Sequence, residues 1–225
     1  MSRPQQLTGV VAQPEGKHPG WPAQLGPLRV RAGVVALRPV RLRDGRAWRR
    51  IRLRDRDYLE RWEPSAPGTW PERHSGLAWH AQWAGLRTLA RRGVCLPFAI
   101  TVDGAFAGQV TIGNIVRGAL QSAWIGYWVD SEQASQGVAT AAVALAVDHA
   151  FGEAGLHRLE ATVRPDNAAS LRVLAKHGFR KEGMFERYLH VDGDWRDHLC
   201  FALTAEETGK GLVARLLASG GAERA

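Results

Sequence analysis

The hydrophobic pattern is clearest in the middle of the chain. Phe98 to Val102 is a short apolar run, Asp103-Gly104 is a turn pair, and Ala105 to Ile115 resumes the apolar pattern. This predicts a β-hairpin, and Gln121 to Val129 supplies a third strand beside it. Val138 to Phe151 is rich in alanine and reads as a helix able to pack closely on a sheet, stopping near Gly152 and Gly155. His157 to Val163 predicts another strand. Asp166 or Asn167 suits the cap of a helix reaching His177, and Gly178 suits the position just past its end. Arg180 to Val191, the turn Asp192-Gly193-Asp194 and Trp195 to Leu203 predict a last hairpin. Thr204 and Glu207 have capping-box spacing, which predicts a C-terminal helix to about Ala218.

Upstream, Leu28 to Pro39 alternates apolar and basic residues and predicts one or two short strands. Asp44 begins a helix with Trp48, Ile51 and Leu53 on its apolar side. Glu72 to Arg92 predicts a second helix carrying Leu77, Trp79 or His80, Trp83, Leu86, Leu89 and Ala90. Residues 1–27 contain five prolines and little periodic apolar pattern, which predicts a loosely ordered extension. The expected organisation is an α/β (α+β) domain over residues 28–204, with a C-terminal helix and tail over 205–225. The tryptophans at 48, 62, 70, 79 and 83 are many for so short a stretch; each suits a core, and a few of them suit the wall of a pocket.

Between the third predicted strand and the alanine-rich helix lies Asp130-Ser-Glu-Gln-Ala-Ser-Gln-Gly-Val-Ala-Thr140. A polar loop that opens straight into a helix presents backbone N–H groups lacking intrahelical partners, at the positive end of the helix dipole. Such a place suits a diphosphate. Gly137 allows close approach, Ala139 is nearly as small, and Thr140 adds a hydroxyl. On its own so short a glycine pattern equally suits an ordinary loop before a buried helix.

Three stretches change that balance: the loop itself, Pro165-Asp-Asn-Ala-Ala-Ser170 followed by Lys176-His-Gly-Phe179, and Tyr58-Leu-Glu-Arg-Trp-Glu-Pro64. Together they resemble the GNAT acetyltransferase superfamily, within it the RimJ/RimL-like branch, over roughly residues 34–204. The resemblance implies a mixed, mostly antiparallel twisted sheet of about seven strands, flanked by helices and splayed between the fourth and fifth. It implies acetyl-CoA as cofactor. The contacts would be Trp128 and Val129 on the splayed strand, Ala134, Ser135, Gln136, Gly137, Val138, Ala139 and Thr140 in the loop, and Asn167 and Ser170 beside the arm and thiol. Ala134 stands where the family has Arg or Gln, which removes one side-chain donor and leaves the amides intact. Ser170 is the first choice of acid for the leaving thiolate and Tyr188 the second. Glu63, Glu160, Glu182 and His190 are candidate bases, and an α-amine with a pKa near 8 needs little help. The family glutamate in RimL-like enzymes aligns with Leu189. Trp62, Glu63 and His190 are expected on the amine side.

Composition narrows the setting. Of 225 residues 45% are hydrophobic, no apolar run is long enough for a membrane span, and the first residues lack a secretory core, so the expected place is the cytoplasm. Cys95 and Cys200 fit no disulfide scaffold or zinc pattern and read as small core residues, and no metal is expected. Residues 1–61 hold 14 Lys/Arg against 5 Asp/Glu; the remainder holds 16 against 17. That basic first quarter suits RNA or a ribosome surface, or a plain solvated face. The function expected is acetylation of a primary amine by direct attack in a ternary complex, first a protein N-terminus of ribosomal-protein type, by a monomer or homodimer. A small amine such as an antibiotic or polyamine is the alternative enzyme substrate. A non-catalytic acyl-CoA or RNA-binding module is the alternative class.

Overall fold

The computed structural model describes residues 18–225. In chain order its strands are β1 (Leu25–Val30), β2 (Gly33–Pro39), β3 (Leu96–Val102), β4 (Ala105–Val116), β5 (Ser122–Val129), β6 (Arg158–Val163), β7 (Arg180–Val191), β8 (Asp194–Thr204) and β9 (Glu223–Arg224). Its helices are α1 (Gly45–Arg54), α2 (Arg56–Leu59), α3 (Trp70–Arg73), α4 (Gly76–Arg91), α5 (Val138–Phe151), α6 (Ala168–His177) and α7 (Leu212–Ala218). The strands form one sheet in the order β7-β8-β6-β5-β4-β3-β2-β1-β9. Every pairing is antiparallel except β5 with β6.

Helices cover both faces. β3 is buried along its whole length, as a strand covered on both sides must be. Phe98 and Ile100 join the larger core with α5, whereas Ala99 between them joins Trp48, Ile51 and Trp79 of the α1–α4 layer. α5 is apolar nearly all round, and its alanines bring it close to the sheet, with α7 packed on its outer side. Cys95 and Cys200 are buried free thiols, as expected.

The described residues include nine strands where about seven were expected. The segment 28–39 supplies two of them, starting at Leu25, and β9 adds to the edge of β1. Of the expected extension, residues 1–17 lie outside the described residues. From His18 onward the chain is packed, with Trp21 set edge-on against Phe98 at 5.5 Å. Two helix expectations need correction. The predicted helix 72–92 is broken after His74, because Ser75 caps a new one by accepting from the Ala78 amide at 3.2 Å; Leu77, in the first turn, is 82% exposed. The capping box at Thr204 and Glu207 forms, but it caps only a 3-10 turn, Ala205–Thr208. Left-handed Gly209 and Gly211 interrupt the chain, and α7 is capped instead by Asp148 of α5, which accepts from the Leu212 and Val213 amides at 2.6 and 2.9 Å.

α6 closes on α5 through its last residue. His177 is 2% exposed, and its Nε2–H donates to the Thr140 carbonyl at 3.0 Å, so the end of α6 holds the first turn of α5. Burial pushes the His177 imidazole down to about 4, with Arg215 and Lys176 adding to the effect. Burial does the same, also to about 4, for His74 beneath Trp48 and Trp70. Both are neutral in the fold but take up a proton near pH 6.5 once unfolded, so stability is present above pH 6.5 and is lost as pH falls toward 4. We expect urea unfolding at stepped pH to lose up to about 3 kcal/mol per histidine over that window. His177→Gln, which keeps a donor for Thr140, should remove about half of that slope; an unchanged slope would place the acid sensitivity elsewhere.

Candidate active site

β5 and β6 pair at Ser122, Ala123 and Trp124 and then part, while β6 continues to pair with β8 as far as Val163. The expected splay is therefore present, between β5 and β6 in the full count of strands. The last residues of β5, Tyr127 to Val129, border a cleft of about 790 Å³ on the side that β6 has left. On their other side they pair with β4. Gly108 lies opposite Val129, and a Cβ on it would come within 2.3 Å of the Trp128 carbonyl oxygen, so the glycine sets how closely β4 follows the end of β5.

The loop beyond β5 is held from two directions. Arg54 pairs with Asp55, Asp130 and Glu132, and the Ser131 amide donates to Asp55 at 2.8 Å. This fastens the 3-10 turn Ser131–Gln133 to the end of α1. From the other side the Ala32 amide, in the β1–β2 turn, donates to the Gln136 carbonyl at 3.3 Å. Ser135 and Gly137 adopt left-handed φ values of 59° and 92°, which turns the chain so that α5 begins facing the cleft. A Cβ on Gly137 would sit 3.1 Å from the Val30 Cβ, so the glycine is required by both φ and space. No side chain caps α5, which leaves its first-turn amides available to a ligand.

α6 forms the opposite wall. Asn167 caps it by accepting from the Ser170 amide at 3.1 Å. Ala169, Arg172, Val173 and Lys176 share its cleft face, and two of them bring positive charge. Tyr127 Oη donates to the Ser170 carbonyl at 3.5 Å, and burial pushes its phenol up to about 12, so it stays protonated at any working pH. The third wall is Asp57 to Glu63. Two guanidinium groups approach the Trp62 ring, Arg61 at 4.6 Å and Arg164 at 5.2 Å. The Glu63 carboxylate touches Arg52 Nη1 and lies 3.6 Å from Arg73. Arg52 is buried with its Nε and Nη1 outside hydrogen-bond geometry; it stacks over Trp128 at 4.1 Å, and burial and Arg73 push its guanidinium down to about 9.

The cleft thus gathers Trp128, Val129, Ala134, Ser135, Gly137, Val138, Ala139, Thr140, Asn167, Ser170, Trp62 and Glu63 of the expected residues. Gln136 turns away, its amide donating to the Glu132 carbonyl at 2.8 Å. Four others do not line the cleft. Glu182 is held on β7 by Arg158 and by Arg180 at 2.8 Å. Glu160 sits where β5 and β6 are still paired and bonds Arg158 at 2.8 Å. Tyr188 falls in the register shift between Phe185 and Leu189 on edge strand β7, stacked on Phe185 and 42% exposed. The His190 ring packs edge-on against Trp195, and only its carbonyl serves the wall, accepting from the Ser65 amide at 2.8 Å. Tyr127, Tyr58, Arg61, Arg172 and Lys176 line the cleft and were not anticipated. The i, i+3, i+4, i+7 spacing from Ala169 to Lys176 is the signal that pointed to the last two. Of the early tryptophans, Trp48, Trp70 and Trp79 are core and Trp62 lines the cleft.

Comparison with known proteins agrees with this geometry. The structure superposes on Mycobacterium smegmatis RimJ in complex with CoA-disulfide with a TM-score of 0.91 and 57% identity, over 92% of this chain and all of that one. The ribosomal protein uS5-alanine N-acetyltransferase of Escherichia coli is 29% identical over 193 residues, 84% of this chain and 96% of its own length. The Bacillus subtilis protein YjcK is 46% identical over 101 residues, so that the chain spans 56% of its length. Residues 35–180 match the family described as Acetyltransferase (GNAT) domain. The open edge of β5, the amide-lined loop before α5 and the matched residues lead to one conclusion: this chain belongs to the GNAT acetyltransferase family.

Proposed function

We propose that the protein transfers the acetyl group of acetyl-CoA to the α-amine of a ribosomal protein N-terminus, acting in the cytoplasm. One observation carries this reading: a single cleft joins the amide-lined turn at Gly137, the open edge of β5 and the Trp62–Glu63 wall. The names of the relatives that span nearly the whole chain, RimJ and the uS5-alanine acetyltransferase, point to the same class of substrate.

The residues present fit the cofactor. The uncapped first turn of α5 offers amides to a diphosphate, Arg172 and Lys176 add the positive charge that Ala134 does not, and the β5 edge offers backbone groups to an amide-bearing arm. When bound, acetyl-CoA supplies the acetyl group as a thioester and departs as the thiol. The chain's own residues arrange the rest. The Glu63 carboxylate, fixed by Arg52 and Arg73, orients the incoming amine and accepts a hydrogen bond from it. Trp62 covers the peptide beside it. An α-amine loses its proton near pH 8, so water is a sufficient base at neutral pH. Ser170 Oγ holds the proton for the departing sulfur, and Tyr127, bonded to the Ser170 carbonyl, fixes that turn of α6.

Three measurements check this. With acetyl-CoA, free-thiol release should depend on peptides bearing an unblocked N-terminal alanine or serine. Release driven instead by free polyamines would replace the substrate, and cofactor binding with no release to any amine would remove the enzymatic reading. Gly137→Val should weaken CoA binding about tenfold or more in calorimetry, since a β-branched residue at positive φ costs roughly 1–3 kcal/mol and its side chain meets Val30. Ser170→Ala should lower kcat by about 100-fold with little change in KM, and Tyr127→Phe by roughly tenfold or less. The reverse order would transfer the proton to Tyr127 Oη.

A further inference from the structure

A second cavity, of about 520 Å³, lies between α4 and the chain just after β2, and it shares no residue with the cleft. Its apolar lining includes Trp21, Trp83 and Leu86, and Arg41, Arg87 and Arg91 stand around it. No acidic side chain lines it. Among the described residues none of these three arginines is in an ion pair, although most acidic side chains elsewhere hold one. α4 contains no Asp or Glu, and neither does α1, packed alongside it, which exposes Arg46, Arg49 and Arg50. Arg46, Arg49 and Arg50 of the basic first quarter are thus exposed on α1, and Arg87 and Arg91 carry positive charge along α4.

Concentrated charge of one sign destabilises a fold by self-repulsion, and such a face suits a polyanion. The groove selects among polyanions. Arg87 lies over the Trp83 ring at 5.3 Å, and the cavity beside that ring is lined by Trp21 and Trp83 and by the guanidinium groups of Arg41, Arg87 and Arg91. This is the chemistry of base stacking combined with phosphate contact. A carboxylate-rich peptide or an anionic membrane would use the arginines but leave the tryptophan pocket without a role. We propose that this groove binds a single-stranded segment of RNA, one base entering against Trp83 and its flanking phosphates lying on Arg87, Arg91 and Arg41. The choice of RNA over DNA rests on the ribosomal reading above; the cavity itself asks for bases and phosphodiesters.

The test is fluorescence anisotropy of a labelled single-stranded RNA of about 12 nucleotides with the full chain over a salt series. The unsubstituted protein should bind, with affinity falling steeply with salt. The double variant R87Q/R91Q, changed only at exposed side chains, should reduce the log–log salt slope by about 1.4, roughly 0.7 for each lost phosphate contact. Trp83→Leu should weaken binding roughly fivefold to 150-fold with the slope unchanged. Acetyl-CoA affinity, measured on the same variants, should not move, which separates failure of this proposal from failure of the catalytic one. The proposal is overturned by any of four results: no RNA binding at low salt, binding indifferent to these substitutions, equal binding of polyglutamate or anionic vesicles, or tighter binding of the matching DNA.

Discussion

β5 keeps β6 as a neighbour for three residues and then loses it, inside a sheet whose other strands are laddered along most of their length. Unpaired backbone groups in the middle of a sheet are costly unless water or a ligand satisfies them. Among the described residues no strand fills the gap, because β6 is committed to β8 through Val163 and α6 forms the opposite wall of the cleft. The Tyr127 side chain reaches across to Ser170, and the loop after β5 is braced by Arg54 and Asp55 on one side and by the β1–β2 turn on the other. These contacts come from opposite layers of the molecule. The cleft is therefore a preorganised feature of the whole fold, and a ligand entering it need not first open the structure.

A loop with alanine in place of Arg or Gln at position 134 still presents its backbone amides to the cleft. The attraction for phosphate in such a site is shared among several amides and the dipole of α5, and a single side-chain donor adds to a sum already made. Arg172 and Lys176, one turn apart on α6, bring charge to the same cleft from the other wall. His177, the next residue, carries no charge at neutral pH and instead anchors Thr140 of α5. Adjacent positions on one helix thus do two jobs, one facing the ligand and one fixing the distance between the walls.

Local signals in the sequence carried most of this architecture and most of the expected residues that line the cleft. Asp103-Gly104, Gly137, Asn167 and Gly178 each have a backbone reason to stand where they do, and each forms the turn or cap expected of it. What was not legible depended on register and on distant partners. Tyr188 and His190 looked well placed on a late strand, yet a shift in the β7–β8 ladder turns their side chains out of the cleft. Glu160 lies on β6 before the strands part, which strand pattern alone does not reveal. The helix predicted from Thr204 was interrupted because its capping box is sound but Gly209 and Gly211 follow at once, and α7 takes its cap from Asp148, far away in sequence. Tyr127 falls inside the predicted strand Gln121 to Val129, where strand pattern alone gives it no special role. Its importance comes from which neighbour is missing.

The distribution of charge completes the argument. The α-amine proposed as substrate is a cation in equilibrium with its neutral form, and a cleft wall with Asp57 and Glu63 suits it better than an unbroken basic surface would. The arginines of the first quarter are accordingly sorted by the fold. Arg38, Arg52 and Arg54 are turned inward to hold Asp44, Glu63 and the loop acids, where they shape the site. Arg46, Arg49 and Arg50 on the same short helix point to solvent beside α4. One amphipathic helix thereby separates two electrostatic environments, a mixed one around the reacting groups and a purely basic one on the outer layer. Because the groove and the cleft share no lining residue, a polyanion of the kind proposed for the outer layer would leave the cleft open.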